Sequence, residues 1–426
     1  MQRFILALYQ IIGTLLLPTL ALALLVRSRR QPEYRRRIKE RFGLCPRPRH
    51  SGGIVVHGAS LGEITSLKPF ISALIDAYPN KTITVTSFTP AGSKQVERLF
   101  GNRVNHAYLP FDSPVCNWLF LRRVQPCAVV FMETEIWPSL LHQSKSLPSK
   151  LMLINARLSA KSVRAYQKIK PLIAIALAQF DEIHAQSQAN AEAFIQLGAD
   201  AGRVSMSGNL KFDLFPPANV HQRAREISKT IGERPTWTVG SCHQDEEDLL
   251  LAAFSEVKKR CPSALLMLAP RHPERYQPLS EKLTALNIPY TRRSQSESFN
   301  DGSDVWLIDT MGELLLFYAI ADVCTVAGSF DNTGGHNPLE PAFFAKAITV
   351  GPNIKGIQDL ANTLLDANAL IKHASATPND IAAEISRLLL SENERDRLGT
   401  NALRLLENNR GATEKSISAL RELIER

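Results

Sequence analysis

The chain has 426 residues, 44% hydrophobic and 21% charged, with a net charge of +9. These are the proportions of a globular protein of at least two domains, and they exclude a disordered chain. Ten basic residues against two acids lie between positions 27 and 50, an excess of +8 that leaves only +1 for the rest and excludes a nucleic-acid-binding protein with a general basic face.

The first predicted element is apolar. Phe4 to Val26 holds 23 residues without a charge, and a membrane span needs ~20. Ala21-Leu22-Ala23 resembles the cleavage site of a signal peptide. The apolar run is too long for one, and Arg27, Arg29, Arg30, Arg35, Arg36 and Arg37 follow at once. Such a cluster resists translocation and stays on the cytoplasmic side. Residues 1–50 are therefore expected to form an uncleaved N-terminal membrane anchor with a basic collar. The collar can hold anionic lipid of an inner (cytoplasmic) membrane, with the body of the protein cytoplasmic.

From residue 51 the pattern alternates. Short β-rich runs (Ile54 to His57, Thr82 to Thr86, Ala128 to Met132, Leu151 to Ile154, Glu182 to Ala185) are separated by helical stretches such as Ile64 to Tyr78 and Ala189 to Leu197. A βα series predicts a parallel sheet covered on both faces. Pro216 and Pro217 interrupt it, and a second series follows: Thr236 to Val239, Ala264 to Leu268, Val305 to Ile308, Val323 to Val326 and Ile348 to Val350. The expected division is 51–212 for a first doubly wound domain, 213–219 for a linker and 220–426 for a second. The last helical stretch, from about Thr413, is expected to fold back across the first domain. The six cysteines are scattered with no C-x-x-C pair, which predicts reduced thiols rather than a disulfide frame or zinc site.

Ligands of such sheets sit at the carboxyl ends of strands, and the unusual residues fall there. In the first series "HGASLGEI" places Glu63 where a strand turns into a helix. A carboxylate in a first helical turn is favoured by the macrodipole by ~0.3–1 kcal/mol, which competes with a catalytic reading. "FMETEIWPSL" follows the third apolar run, and strand alternation would put Glu133 and Glu135 on one side with Thr134 opposite. Lys211 closes "SGNLKFD" beside the linker.

In the second series "LAPRHPER" ends a strand with Pro270, Arg271 and His272, and Arg271 can fork onto a phosphate. "DTMGEL" brings Met311, Gly312 and Glu313 to a helix start whose free N–H groups suit an anion or a base edge. In "GSFDNTGGHNPLEPA", Asn337 suits an N-cap, Pro338 the first helical position, and Glu340 a capping-box spacing. Capping alone would explain that stretch. The functional reading adds that Glu340 can accept both ribose hydroxyls of a nucleotide. No P-loop, dinucleotide fingerprint or H-E-x-x-H motif is present, and no metal or cofactor is implied.

Seven motifs in this order, "HGASLGEI", "METEIWP", "NARLS", "SGNLKFD", "LAPRHPER", "DTMGEL" and "GGHNPLE", resemble the 3-deoxy-D-manno-octulosonic acid (Kdo) transferases of lipopolysaccharide biosynthesis. The resemblance covers nearly the whole chain; Cys242 stands where Thr is expected. It implies a GT-B glycosyltransferase, two Rossmann-like domains about a cleft, that moves Kdo from CMP-Kdo to a lipid A precursor with inversion. It implies Glu63 as general base and Glu133 and Lys211 as transition-state stabilisers. It implies a CMP site of Pro270, Arg271, Met311, Gly312, Glu313, Asn337, Pro338, Leu339 and Glu340. Two alternatives are weighed against it: another GT-B member, either a different membrane-associated glycosyltransferase or a nucleotide-sugar epimerase, the latter needing no anchor, and a tethered nucleotide-sugar-binding protein without catalysis.

Overall fold

A computed structural model describes residues 2–296 and 298–426. The chain divides into two compact units. One runs from the N-terminus to Leu214 and takes back Asn409–Arg426, and the other holds Phe215–Asn408.

The first unit is built on seven strands: β1 (Ile54–His57), β2 (Ile83–Ser87), β3 (Asn105–Tyr108), β4 (Ala128–Met132), β5 (Lys150–Ala156), β6 (Glu182–Ala185) and β7 (Val204–Met206). Their order across the sheet is β3-β2-β1-β4-β5-β6-β7, and neighbours run parallel. The second unit repeats the plan with β8 (Thr236–Cys242), β9 (Leu265–Pro270), β10 (Tyr290–Arg292), β11 (Val305–Leu307), β12 (Val323–Val326), β13 (Ala347–Val350) and β14 (Ile371–Lys372). Its order is β10-β11-β9-β8-β12-β13-β14, again parallel. Strand order reverses between β1 and β4 in one sheet and between β8 and β12 in the other. Those are the topological switch points, where open α/β sheets bind their ligands.

Alternation along the strands feeds two cores in the first unit. Val55, Phe131, Leu151 and Leu153 face one layer of helices, and Ile54, Val56, Val130 and Ile154 face the other. Ile417, Leu420 and Leu423 of the last helix, Ala412–Glu425, complete the second layer. Buried Asp213 holds the start of that helix by accepting the N–H groups of Gly411 at 2.7 Å and Thr413 at 2.5 Å. All six cysteines are free thiols.

The N-terminal segment differs from the expected separate anchor. It is two helices, Gln2–Leu15 and Leu17–Arg30, bent by 44° at the break. No single helix among the described residues is long and apolar enough to cross a membrane, although the bent pair is so by length and composition. The first helix docks on its own unit. Leu6 is buried, Tyr9 donates to Asp112 Oδ2 at 2.8 Å, and Gln10 donates to Ser139 Oγ at 3.3 Å.

The collar is likewise divided, because two of its arginines are tied into the first unit, Arg41 buried and Arg37 half-buried. Arg41 is 1% exposed, lies over the rings of Tyr108 and Phe88, and donates to the Phe88 carbonyl at 2.8 Å. Arg37 donates to the His106 carbonyl and to Glu40, whose carboxylate accepts the Tyr108 N–H at 2.9 Å. Residues 1–50 therefore belong to the first unit and are not a domain of their own.

Candidate active site

The turn after β1 is fixed by close packing. A Cβ at Gly58 would stand 2.8 Å from Leu67 Cδ1 and 3.2 Å from Ile64 Cδ1, so a larger residue there would push these side chains aside where the turn lies on the helix it precedes. Ser60 caps that helix, Leu61–Ser66, by accepting the Glu63 N–H at 3.3 Å. Glu63 reaches back, and its Oε2 accepts the N–H groups of Ser60, at 3.0 Å, and of Ala59. The capping reading of Glu63 is thus correct as local structure. It does not exhaust the residue, because burial, then the neighbouring Glu135 charge, pushes its carboxyl up to about 7, with Glu133 adding to the rise. The Ser60 N–H and His57 work in the other direction without cancelling it.

Glu133 and Glu135 reach Glu63 by a different route from the one expected. β4 ends at Met132, and Glu133 takes a left-handed backbone, φ 55°, with its N–H on the Ile154 carbonyl. Strand alternation no longer applies there. A turn, not a strand face, brings both carboxylates near Glu63. Glu135 is held by its neighbours: its Oε2 accepts the Trp137 indole N–H at 2.8 Å and faces Nε2 of fully buried His57 at 3.1 Å. Burial raises its carboxyl, but the bonds from His57 and Trp137 outweigh burial and hold it below the usual range. His57 Nδ1 is 2.9 Å from Thr86 Oγ1, which fixes the ring. His57 was not singled out from sequence, because it ends an apolar run.

Lys211 lies half-buried in the turn Leu210–Asp213, its N–H on Asn209 Oδ1 at 3.0 Å. Its ammonium has no hydrogen-bond or ion-pair partner among the described residues. Asn155, left-handed at φ 52° in "NARLS", connects β5 to that turn by accepting the Leu210 N–H at 3.0 Å.

In the second unit Pro270 ends β9, and exposed Arg271 donates its N–H to the Cys242 carbonyl at 2.8 Å. Asn337 Oδ1 accepts the Leu339 N–H at 3.2 Å at the start of the short helix Leu339–Ala342; Pro338 and Leu339 are buried. Burial pushes the Glu340 carboxyl up to about 7, against the opposing Arg271 charge and the Asn337 side-chain bond. Arg271, Asn337 and Glu340 are thus brought together. Met311 is 65% exposed, and Gly312 has φ 83° in the turn between β11 and the helix Leu314–Ile320. The Glu313 carboxylate is already occupied, by Arg293 at 3.0 Å, Thr310 at 2.7 Å and Arg223. Burial raises its carboxyl, but these partners outweigh that and take it down to about 2.

Two carboxylates in "GSCHQDEE" were not anticipated. Fully buried Glu246 accepts the N–H groups of His243 at 3.0 Å, Gly328 at 2.8 Å and Phe330 at 2.9 Å, tying the loops after β8 and β12 together. Fully buried Glu247 accepts a forked pair from Arg275 at 3.0 and 2.8 Å and a bond from Lys282 at 3.1 Å. Adjacent acids at a helix start were the available signal.

Two parallel α/β units, each gathering charged side chains where its strand order reverses, have the architecture of GT-B glycosyltransferases. A glycosyltransferase structure from Rickettsia africae ESF-5 matches with a TM-score of 0.57 at 13% identity, over 88% of this chain and 100% of that one, which is a likeness of fold. The chain belongs to the 3-deoxy-D-manno-octulosonic acid transferase family. The family profile described as 3-deoxy-D-manno-octulosonic-acid transferase (kdotransferase) matches residues 36–214. The transferase of Haemophilus influenzae is 34% identical over 94% of both chains, and that of Bordetella pertussis 31% identical over 86% of both.

Proposed function

We propose that this enzyme transfers Kdo from CMP-Kdo to a lipid A precursor at the inner face of the cytoplasmic membrane, with Glu63 as general base. The observation that carries the reading is Glu63 itself: a carboxylate on a rigid strand-to-helix turn, pushed up to about 7. A base poised near the working pH combines the required charge state with proton-accepting strength. Both capping bonds fall on Oε2, which leaves Oε1 to an acceptor hydroxyl.

The hydroxyl oxygen attacks the anomeric carbon of Kdo while its proton passes to Glu63. The bond to the CMP phosphate breaks, its electron pair leaving with the phosphate oxygen. Glu133 and Lys211 are assigned to stabilise charge during that displacement, and Arg271 to stabilise the departing phosphate. Glu340 and Asn337 take the ribose. Pro270, Pro338 and Leu339 supply the walls of the CMP site, and Met311, Gly312 and Glu313 complete it. Because the Glu313 carboxylate is committed to Arg293 and Arg223, its contribution to the nucleotide is through its backbone.

The N-terminal helices are assigned to the bilayer. Phe4 and Leu15 are each 72% exposed and Leu22 is 61% exposed, far above core values, so these helices carry an apolar face that protein does not cover. Incubation of the detergent-solubilised protein with CMP-Kdo and a lipid A precursor tests the reading. Release of CMP with a matching mass gain on the lipid is expected. CMP release without that gain, or no release, would overturn the assignment.

A further inference from the structure

The loops after three neighbouring strands of the second sheet carry histidines. β8 leads into His243, β9 into Arg271 and His272, and β12 into the loop that carries His336. β8 and β12 flank the switch point, where a ligand is expected. His243 Nε2 and His336 Nε2 are 2.8 Å apart, and the rings stack with centroids 5.0 Å apart and planes at 14°. His272 stands edge-on to His243 at 5.5 Å. Gly328 makes the contact possible, because a Cβ there would lie 2.8–2.9 Å from the His336 ring. None of the three rings has a part in the mechanism above.

A nitrogen-to-nitrogen contact of that length is a hydrogen bond only if one ring donates and the other accepts. Two neutral imidazoles carry two protons on four nitrogens. One proton lies in the shared bond, and one lies on Nδ1 of the accepting ring. The Nδ1 of the donating ring is then vacant. The pair can therefore take up one further proton without losing its bond, and two more would break it.

The charged and titratable groups around the pair are Arg271, Asp331 and the His272 ring, with His243 Nδ1 3.8 Å from Asp331 Oδ2. The Glu246 carboxylate lies behind the loops, on the N–H groups of His243 and Gly328. Burial, then Arg271 and His243, pushes the His336 imidazole down to about 4, with Asp331 opposing and His272 adding a little more. His336 is thus a buried ring facing the Arg271 cation with only Asp331 opposing, an arrangement that an anion bound beside it relieves.

We propose that the His243–His336 pair, beside Arg271, is the seat for the phosphate of the cytidine nucleotide and takes up one proton when that phosphate binds. The inference rests on the donor reading given above. The sign follows from linkage. A group raised on binding makes binding tighter as pH falls, between its bound and free values, and each unit of rise is worth tenfold in affinity. The proton belongs to the pair and not to either ring.

Calorimetry of CMP binding to the full chain, at pH 6 in two buffers of different ionisation enthalpy, gives the protons taken up. CMP's own phosphate titrates near pH 6, so the quantity read is wild type minus variant. His243→Gln and His336→Gln should each take up about 0.3–1 fewer protons per CMP bound than wild type. Equal uptake in wild type and both variants, with CMP still bound, would overturn the proposal. Imidazole nitrogen NMR of the wild type, with and without CMP, counts the same proton without any variant. One more protonated ring nitrogen is expected, and unchanged shifts would likewise overturn the proposal. If wild type binds no CMP at all, the donor reading itself falls, and that outcome is distinct from binding without proton uptake.

Discussion

Glu135 Oε2 accepts the Trp137 indole N–H at 2.8 Å and faces His57 Nε2 at 3.1 Å, so its charge is fixed in place beside Glu63. Glu135 is held below the usual carboxylate range while Glu63 is pushed up to about 7. Two carboxylates whose surroundings separate their titrations fit the proposed mechanism, in which one is the base and the other a fixed charge. Glu135→Gln keeps an acceptor for Trp137 and removes the charge. Since that charge raises Glu63, the acid limb of the kcat/KM profile should move to lower pH. The rate at pH 6 relative to that at pH 8 should rise severalfold. A limb that stays in place or moves up would separate Glu135 from Glu63.

Glu63→Gln is expected to cost ~100-fold or more in kcat, the usual scale of a lost general base. The same change should stabilise the protein at pH 8. Glu63 is raised in the folded state, so its ionisation opposes folding above about 7, and that cost vanishes as pH falls below the unfolded value near 4.5. Discounted for partial exposure, the gain is on the order of 1 kcal/mol at pH 8, shrinking to nothing by about pH 4. Thermal melts of wild type and variant across that range check both sign and window. A variant less stable at pH 8 would mean that the capping bonds to Ala59 and Ser60 outweigh the charge.

Legibility in the sequence tracked burial. The strands expected from apolar runs, such as Ile54–His57, Ala128–Met132 and Val323–Val326, lie inside the sheets. The four that gave no signal, β3, β7, β10 and β14, are the four sheet edges. Their sequences, NHAY, VSM, YTR and IK, are short and mixed because an edge strand is covered less and carries polar residues against further pairing. Among the candidate site residues, the positions of Glu63 and Arg271 just past strands β1 and β9 were legible because a charge at a strand end is conspicuous. The left-handed turn at Glu133 was not, since a non-glycine residue with positive φ leaves no compositional mark. Nor was Arg41, because an arginine in a basic run reads as surface until a fold closes over it.

Arg271 and Glu340 are coupled, since the arginine opposes the upward shift of the buried carboxyl. Arg271→Ala and Glu340→Ala should each weaken CMP binding by about tenfold or more, as loss of a charge-assisted contact does. Their effects should not add, because without Arg271 the Glu340 carboxyl rises further and is less ionised at neutral pH. Calorimetry of the two single variants and the double one measures the coupling. Unchanged affinity in both single variants would remove the proposed nucleotide site.

The division of the N-terminal segment separates two losses that the sequence alone would merge. If residues 1–50 were only a tether, a chain beginning at Ser51 would fold and bind CMP. It would lack Arg41 between Phe88 and Tyr108, Glu40 on the Tyr108 N–H, and Tyr9 on Asp112. It should therefore be unstable, and Arg41→Ala alone should cost ~3 kcal/mol through lost packing and an unpaired Phe88 carbonyl. The exposed positions behave otherwise. Leu22→Lys with Leu25→Lys alters 61% and 43% exposed side chains and should leave the melting temperature and CMP affinity unchanged. Binding to vesicles should fall sharply in that variant, since apolar area set in a bilayer is replaced by charge. Neutralising Arg29, Arg30 and Arg36, all exposed, should give a smaller loss that grows with the anionic lipid fraction, each basic residue near such a surface contributing ~1 kcal/mol. Sedimentation with vesicles of rising anionic content, set beside melts of the same proteins, separates the two roles. If the Leu22/Leu25 variant melts early, the second helix belongs to the fold as the first does. If it stays folded and still sediments with vesicles, the membrane assignment of these helices fails.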